Sequence, residues 1–420
     1  MGYDVSAPVL LRPAKPTDCE ALWRWRNDPA TRRASFEQDE VPLQAHTRWF
    51  AESLDRPDRR IYIVVVNGAD AGAVRLDLDR DEARVSINLA PEWRGRGVGT
   101  RALRRLCRDV SDSPEIERLS AQVRPENHAS RVAFERAGFA VVAGLEPLLL
   151  VRPTRLRVVG AIQARMGSTR LPGKALRAIC GRSAIEWIAE RLGNCRELET
   201  VVVSTSVERE NDAIADLAAR IRVGCVRGSE ADLVQRMALT AAVMGADALV
   251  RITADCPLVD PQLVDDVVLT WRRSRGDLEY VCNVFPPTFP DGLDVELLSR
   301  DVLERLDREV TDPFFRESLT AYIREQSATF RWENLRSDED RSPHRWTLDY
   351  PEDLDFIEAV FQELSPERRG FGMRDVLALL ERRPKLRDLN RHREDPMVIR
   401  GIRGAAYHAA RPQGGATGRP

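Results

Sequence analysis

The chain has 420 residues, 43% hydrophobic and 31% charged, enough for two or three globular domains. Its 64 basic and 66 acidic residues nearly cancel, so no net field marks a nucleic-acid binder, and no apolar run reaches the roughly 18 residues of a membrane span. Seven cysteines, an odd number with no CxxC pair, argue against a disulfide scaffold or zinc site and for reduced thiols in a cytoplasm. The N-terminal segment lacks a basic stretch followed by a long apolar one, so secretion is not expected.

The first 150 residues alternate elements. Residues 18–28 and 43–54 have helical spacing of Leu22 and Trp25, and of His46, Trp49 and Phe50. IYIVVV (61–66) is a β-branched run, and 71–79 and 83–90 alternate like antiparallel strands. A Gly-rich turn, an Arg-rich helix over 100–110, a strand near 117–124 and another helix follow. A short join, EPLLLVRPTRLR (146–157), leads to a second start. RVVGAIQ (157–163) is an apolar strand, followed by a helix over 183–193 and strands at 199–206, 221–226 and 247–253. Between the last two lies a helix over 229–244, with Leu233, Met237, Ala241 and Met244 on one stripe. This alternation predicts an α/β fold with a doubly wound, mostly parallel sheet in the second half. The expected domains are 1–150, 155–395, and a Gly/Ala/Pro-rich tail, 396–420, whose composition predicts disorder.

INLAPEWRGRGVGTRALRRLC (87–107) is a strand, a Pro kink, a Gly-rich turn and a helix start. Gly95, Gly97 and Gly99 let the backbone approach a ligand. The N–H groups of a helix beginning at Val98 and Thr100 would then face a pyrophosphate, and Arg94 and Arg96 add charge. Arg94-x-x-Gly97-x-Gly99 resembles the acetyl-CoA signature of the GNAT acetyltransferases. Asn127-x-x-Ser130-x-x-x-Phe134-x-x-x-Gly138-Phe139 resembles that family's last motif. The likeness covers about residues 9–145. WRND (25–28) and HTRWF (46–50) look like the branch that acetylates amino sugars or protein N-termini. The resemblance implies a mixed, largely antiparallel sheet and acetyl-CoA as co-substrate. It also implies pantetheine held by the backbone of Ile87, Asn88 and Leu89, and contact of Asn127 with the cofactor arm. At Phe134 many members carry a Tyr that protonates the leaving thiolate, which a phenyl ring cannot do. Candidate bases are Glu92, His46 and His128.

GAIQARMGSTRLPGKAL (160–176) is the strongest feature of the second half. After Ala164 a strand end delivers Arg165, Ser168, Thr169, Arg170 and Lys174, interleaved with Gly167 and Gly173. Only three residues of the whole chain are lysine: Lys15, Lys174 and Lys385. Free N–H groups and positive charge in one loop suit a triphosphate, though the loop is not a Walker A. The stretch resembles the nucleotide loop of the cytidylyltransferases that make CMP-activated acidic sugars, nearest the spore-coat polysaccharide branch. Four further segments fit in order: 226–237, 250–261, 290–299 and 346–357, within a likeness over about 157–390. The resemblance implies CTP as co-substrate, Mg2+ held by Asp255 and Asp349, and neutralisation of phosphates by Arg165, Arg170 and Lys174. Asp291, Asp294 and Glu296 would be substrate-side or near the metal. Asp349 also reads as a helix N-cap. Ser318 replaces the His of the branch's usual Glu-His-Val-Thr, which leaves the acceptor open.

The whole reads as a cytoplasmic bifunctional enzyme of surface-glycan synthesis acting on small molecules, with no nucleic-acid or membrane partner. One half N-acetylates an amino sugar; the other transfers CMP to a nonulosonic-type acidic sugar. The alternatives are an acetyl-CoA-sensing or peptide-acetylating first half, and a phosphonate or other non-sugar acceptor for the second. A homodimer is left open.

Overall fold

The structure is a computed structural model and describes residues 8–393 apart from 112, 169 and 365–369. The expected site residue Thr169 and the expected tail 396–420 lie outside the described residues. The chain divides into two compact units between Leu156 and Arg157.

The first unit contains β1 (Val9–Pro13), α1 (Cys19–Asn27), α2 (Pro29–Ala34), α3 (Leu43–Asp55), β2 (Arg59–Val66), β3 (Ala69–Asp79) and β4 (Glu82–Leu89). It continues with α4 (Val98–Val110), β5 (Arg118–Val123), α5 (His128–Arg136), β6 (Ala140–Val142) and β7 (Leu148–Pro153). Its sheet runs β1-β2-β3-β4-β5-β7-β6, antiparallel except between β4 and β5. The core is made by the alternating inner residues of β2 to β5 and the apolar stripe of α4: Val98, Ala102, Leu103, Leu106 and Val110.

One pairing positions the first site. β4 pairs with β3 along its whole length, but with β5 only through Glu82–Arg84. The two strands part beyond Arg84. Ala90 N–H donates to the Ala71 carbonyl, 3.0 Å. The antiparallel alternation then makes Asn88 a hydrogen-bonded partner of Ala73 and turns the polar backbone of Ile87 and Leu89 toward the gap. The residues read as a join include β7, which lies between β5 and β6. Leu148–Leu150 reads as a linker only because a three-Leu run has no alternation. A boundary at 150 would cut this strand.

The second unit contains β8 (Val158–Gln163), β9 (Ala178–Ile179), β10 (Arg182–Ser183), α6 (Ala184–Gly193), β11 (Thr200–Ser206), α7 (Asp212–Arg220), β12 (Gly224–Gly228), α8 (Leu233–Val243), β13 (Ala248–Thr253) and α9 (Pro261–Arg273). Then come β14 (Tyr280–Cys282), β15 (Glu296–Ser299), α10 (Arg300–Glu309), α11 (Pro313–Glu317), α12 (Ala321–Glu325), β16 (Trp332–Asn334), α13 (Pro351–Leu364) and α14 (Met373–Arg382). The main sheet is β12-β11-β8-β13-β15-β14-β16, and only β15 runs against its neighbours. β8 is apolar throughout its first five residues, all buried, as a central parallel strand covered on both faces must be. Two expected elements shift. Ile221 donates back to Leu217 and ends α7, and Arg222 takes a φ of 58°, so the strand starts at Gly224. Asp232 caps α8 by accepting from Gln235 N–H, so residues 229–232 precede the helix.

A close approach fixes one loop of the second site. Gly292 has φ 106°, and a Cβ there would lie 2.5 Å from both Thr347 N and Trp346 C. The loop is also stitched to this segment by Asp291 N–H to the His344 carbonyl, 2.9 Å, and Trp346 N–H to the Asp291 carbonyl, 2.6 Å. Gly292→Ala combines a disfavoured φ with overlap against backbone that cannot rotate away. It should lower the stability of the second unit by ~3 kcal/mol, read as an earlier transition of that unit in urea.

Candidate functional sites

In the first unit the Gly-rich turn ends as Gly97, φ 73°, the residue before α4. Gly95 has φ 71°, and a Cβ on either glycine meets nothing within 4 Å. Their cost of substitution is therefore conformational, and the space beyond them is open. α4 has no side-chain cap, so the N–H groups of Val98, Gly99 and Thr100 are left for a ligand. This turn lies beside the end of β4: a Cβ on Gly99 would be 3.5 Å from a Leu89 methyl.

Arg94 departs from its expected role. Its guanidinium donates to the Leu89 carbonyl from Nε and Nη2, 2.9 and 2.8 Å, to Thr31 Oγ1 at 2.8 Å, and to Asp28. It ties β4 to the start of α2 and does not face the turn; Arg96, by contrast, is exposed. Asn127 caps α5 by accepting from Ser130 N–H, 3.1 Å. Phe134 is 2% exposed and meets the Phe139 ring edge-on at 5.0 Å, so it is a core residue. Among the candidate bases, His46 is buried beside Trp49 and Phe50, and burial pushes its imidazole pKa down. Glu92 and His128 are exposed.

In the second unit three segments far apart in sequence meet at the carboxyl ends of β8 and β13, where open α/β sheets take ligands. The loop after β8 is anchored by Met166 N–H to Asn211 Oδ1, 2.9 Å, and by the buried Leu171 and Ala175. That anchoring turns Lys174 inward. Its Nζ donates to Asp255 Oδ2 at 2.6 Å and Asp349 Oδ1 at 2.7 Å. Arg170 Nη2 lies 3.0 Å from the other Asp349 oxygen. The acids are also joined through backbone: Leu348 N–H donates to the Asp255 carbonyl, 2.8 Å. Burial works against each charge, but the mutual attraction wins. The Asp255 carboxyl pKa is lowered and the Lys174 ammonium pKa raised. Two carboxylates that converge on one cation are a donor set that suits Mg2+, which takes one or two carboxylates and fills its remaining positions with phosphate oxygens and water.

Other expected residues fall differently. Arg165 points away from this cluster, 3.3 Å from Glu317 and 3.8 Å from Glu230. Ala164, Gly167 and Ser168 lie in the loop itself; Ser168 N–H donates to the Met166 carbonyl, 2.8 Å. Glu296 lies in β15. It is 4% exposed and ion-paired to Arg251 of β13 and to Arg324 of α12, 2.6 Å for the latter, and accepts from Tyr280 OH. Burial opposes its charge, but the two guanidinium groups bring its pKa down to about 2. Asp291 meets Arg345 at 3.3 Å.

The sequence reading missed Asp353, Arg345 and Asn390. Asp353 is fully buried and accepts from Arg345 Nε and Nη2 at 2.9 and 2.8 Å, from Asn390 Nδ2 at 2.9 Å, and from the N–H groups of Asp349 and Tyr350, both 3.0 Å. Asp353, not Asp349, thus serves the chain entering α13, and the Asp349 carboxylate meets Lys174 and Arg170, with Arg345 Nη2 3.7 Å away. The only mark of Asp353 in the sequence is an acid at the third position of a helical run, which does not say that the side chain folds inward.

Residues 159–370 match the cytidylyltransferase family model, and residues 9–140 match the acetyltransferase (GNAT) domain. The chain belongs to the cytidylyltransferases and carries a GNAT acetyltransferase domain ahead of that part. A solved cytidylyltransferase from Leptospira borgpetersenii is 32% identical, covering 55% of this chain and 97% of its own, with a TM-score of 0.53. The spore coat polysaccharide biosynthesis protein SpsF of Bacillus subtilis is 29% identical over 230 residues, 53% of this chain and 93% of that protein. A 3-deoxy-manno-octulosonate cytidylyltransferase of Solibacter usitatus is 34% identical over 113 residues, 27% of this chain and 44% of its own length. No helix among the described residues is long and apolar enough to cross a membrane.

Asp294 supplies a pH test. Burial first, then Asp291, Glu296 and Asp255, push its pKa up to about 7, against the opposing pull of Arg324. An acid whose folded pKa exceeds its unfolded value of 3.8 takes up a proton on folding. Its penalty on stability therefore grows as pH rises from about 4 and is complete above about 7. Asp294→Asn should raise the melting temperature at pH 8, with the gain shrinking toward pH 4. A gain independent of pH would reject this assignment.

Proposed function

We propose that the chain is a bifunctional enzyme of surface-glycan sugar synthesis. The second unit transfers CMP from CTP to an acidic sugar of the nonulosonic type. The first transfers acetyl from acetyl-CoA to an amino sugar. The observation that carries the reading is the meeting of Lys174, Arg170, Asp255 and Asp349 at one sheet edge. The printed names of the relatives, a spore-coat polysaccharide protein and octulosonate cytidylyltransferases, support the substrate class.

In the second unit a hydroxyl oxygen of the acceptor attacks the α-phosphorus of CTP, the bond to the β-phosphate oxygen breaks, pyrophosphate leaves, and the hydroxyl proton passes to water. Asp255 and Asp349 would hold Mg2+, which supplies positive charge at the phosphates when bound. Lys174 and Arg170 neutralise phosphate oxygens, and the loop N–H groups orient the triphosphate. Thr253 donates to the second Asp255 oxygen, which fixes the rotation of that carboxylate.

In the first unit the N–H groups at the start of α4 receive the pyrophosphate of acetyl-CoA. The backbone of Ile87 and Leu89, facing the gap between β4 and β5, aligns the pantetheine. The acceptor nitrogen attacks the thioester carbonyl; the C–S bond breaks and CoA leaves as the amine loses a proton. A second reading, an acetyl-CoA sensor without turnover, draws on the burial of Phe134 and His46. Release of free CoA with amino-sugar nucleotides, and separately with peptides, discriminates the readings.

Asp255→Asn and Asp349→Asn should each lower pyrophosphate release at least about a hundredfold, the order seen when an electrostatic partner of the transition state is removed. Full activity of both with Mg2+ overturns the two-acid site. Gly97→Glu places a carboxylate and a disfavoured φ at the helix start and should abolish acetyl-CoA binding in calorimetry while CTP binding is kept. Retained acetyl-CoA affinity would remove the pyrophosphate from that turn.

A further inference from the structure

After α14 the chain forms two short 3-10 turns, Pro384–Leu389 and Arg391–Arg393. Both lie beyond the residues matched by the cytidylyltransferase family model, 159–370. Asn390, between them, is 2% exposed. Its amide nitrogen has two hydrogens, and both are used: Nδ2 donates to Asp353 Oδ1 at 2.9 Å and to the Arg345 carbonyl at 3.0 Å. The other Asp353 oxygen receives the N–H groups of Asp349 and Tyr350. A carboxylate is rigid and planar, so holding one oxygen fixes the other. Asn390 thereby sets the backbone from which Asp349 reaches Lys174. The same segment grips the next residue. The Arg393 guanidinium lies 4.2 Å over the Tyr350 ring and pairs with Glu352 at 3.1 Å. Arg170, one of the cations on Asp349, lies 5.4 Å from that ring.

We propose that Asn390 is a positioning residue of the cytidylyltransfer centre: it orients Asp349 through Asp353, and the segment that carries it is part of the site. The proposal rests on the reading of Asp349 as a site acid. A residue behind a ligand typically changes activity or metal affinity about tenfold to a hundredfold, and misplacing a reacting group by about 1 Å costs comparable factors.

The test uses the full chain with Asn390→Leu, similar in volume but without donors, and Asn390→Ser, which keeps a shorter donor. Pyrophosphate release gives kcat, the KM for CTP and the Mg2+ concentration for half-activation. Calorimetry gives CTP binding with and without Mg2+, and melting reports folding. Asn390→Leu should lower kcat about tenfold or more and raise the Mg2+ requirement, with the KM for CTP at saturating Mg2+ little changed. Asn390→Ser should fall between it and wild type. Should the Leu variant fail to fold, the Ser variant and Arg393→Ala, at an exposed position, carry the same readout. A lower melting temperature with kcat and Mg2+ requirement unchanged makes the segment packing only and overturns the proposal. If wild type itself binds no CTP, the functional reading fails instead. A crystal structure of the Ser variant then judges the positioning alone: Asp349 withdrawn from Lys174 upholds it, and an unchanged contact overturns it.

Discussion

A fully buried carboxylate is tolerable only when its charge is answered on every side, and in the second unit Asp353 is answered by a guanidinium, an amide and two backbone N–H groups. Everything at the cleft depends on that arrangement. Arg345, drawn in by Asp353, reaches Asp291 from its remaining nitrogen, so the loop at 290–295 and the start of α13 are tied to one buried ion pair. The Asp349 carboxylate, relieved of capping duty, can face Lys174. The strength of the network lies in placement more than in net stability. A buried pair recovers little beyond its desolvation cost, but loss of either partner leaves an uncompensated charge.

The sheet shows the same logic. β13 ends in Thr253, and two residues on lies Asp255, whose carbonyl receives Leu348 N–H. The neighbouring antiparallel strand β15 supplies Glu296, which sits in register with Arg251 and absorbs that strand's positive charge before it reaches the cleft. The cations left over at the sheet edge are those of the loop after β8. Charge at this site is therefore sorted by depth: the buried Glu296 is shared by Arg251 and Arg324, while Lys174 and Arg170 meet Asp255 and Asp349 nearer the surface.

The residues of this outer layer were legible in the sequence because each lies in a short run whose composition is unusual for a solvated turn. Lys174 is one of three lysines in an arginine-rich chain, and Asp255 and Asp349 each precede a proline-containing turn. The inner layer was not legible. Asp353 reads as one more acid in the first turn of a helix, and Asn390 as part of a polar end segment, because nothing in a linear pattern states which polar side chain folds inward. The same limit applies to two of the expected site residues. Arg94 and Glu296 have the right chemistry and the right neighbours, but local backbone direction turns one toward Asp28 and the other between two strands. Alternation and helical period found most elements of both sheets. β7 was missed because a buried run without alternation cannot be told from a linker.

On the proposed reading the two halves would hold anionic cofactors by different means. The first has a helix start without a side-chain cap and glycines that leave open room, with Arg96 exposed in the turn and Arg94 held elsewhere. Oriented backbone dipoles carry no net charge, need no counter-ion and do not titrate. The second relies on full charges that are already paired before any ligand arrives, so a triphosphate must compete with Asp255 and Asp349 for Lys174 and Arg170. Such competition is favourable only if something else neutralises the two acids at the same time, and a divalent cation entering with the nucleotide does so. If the second half binds CTP with Mg2+ as proposed, the pairing of Lys174 with both carboxylates would couple the two, since the cation would release Lys174 to the phosphates.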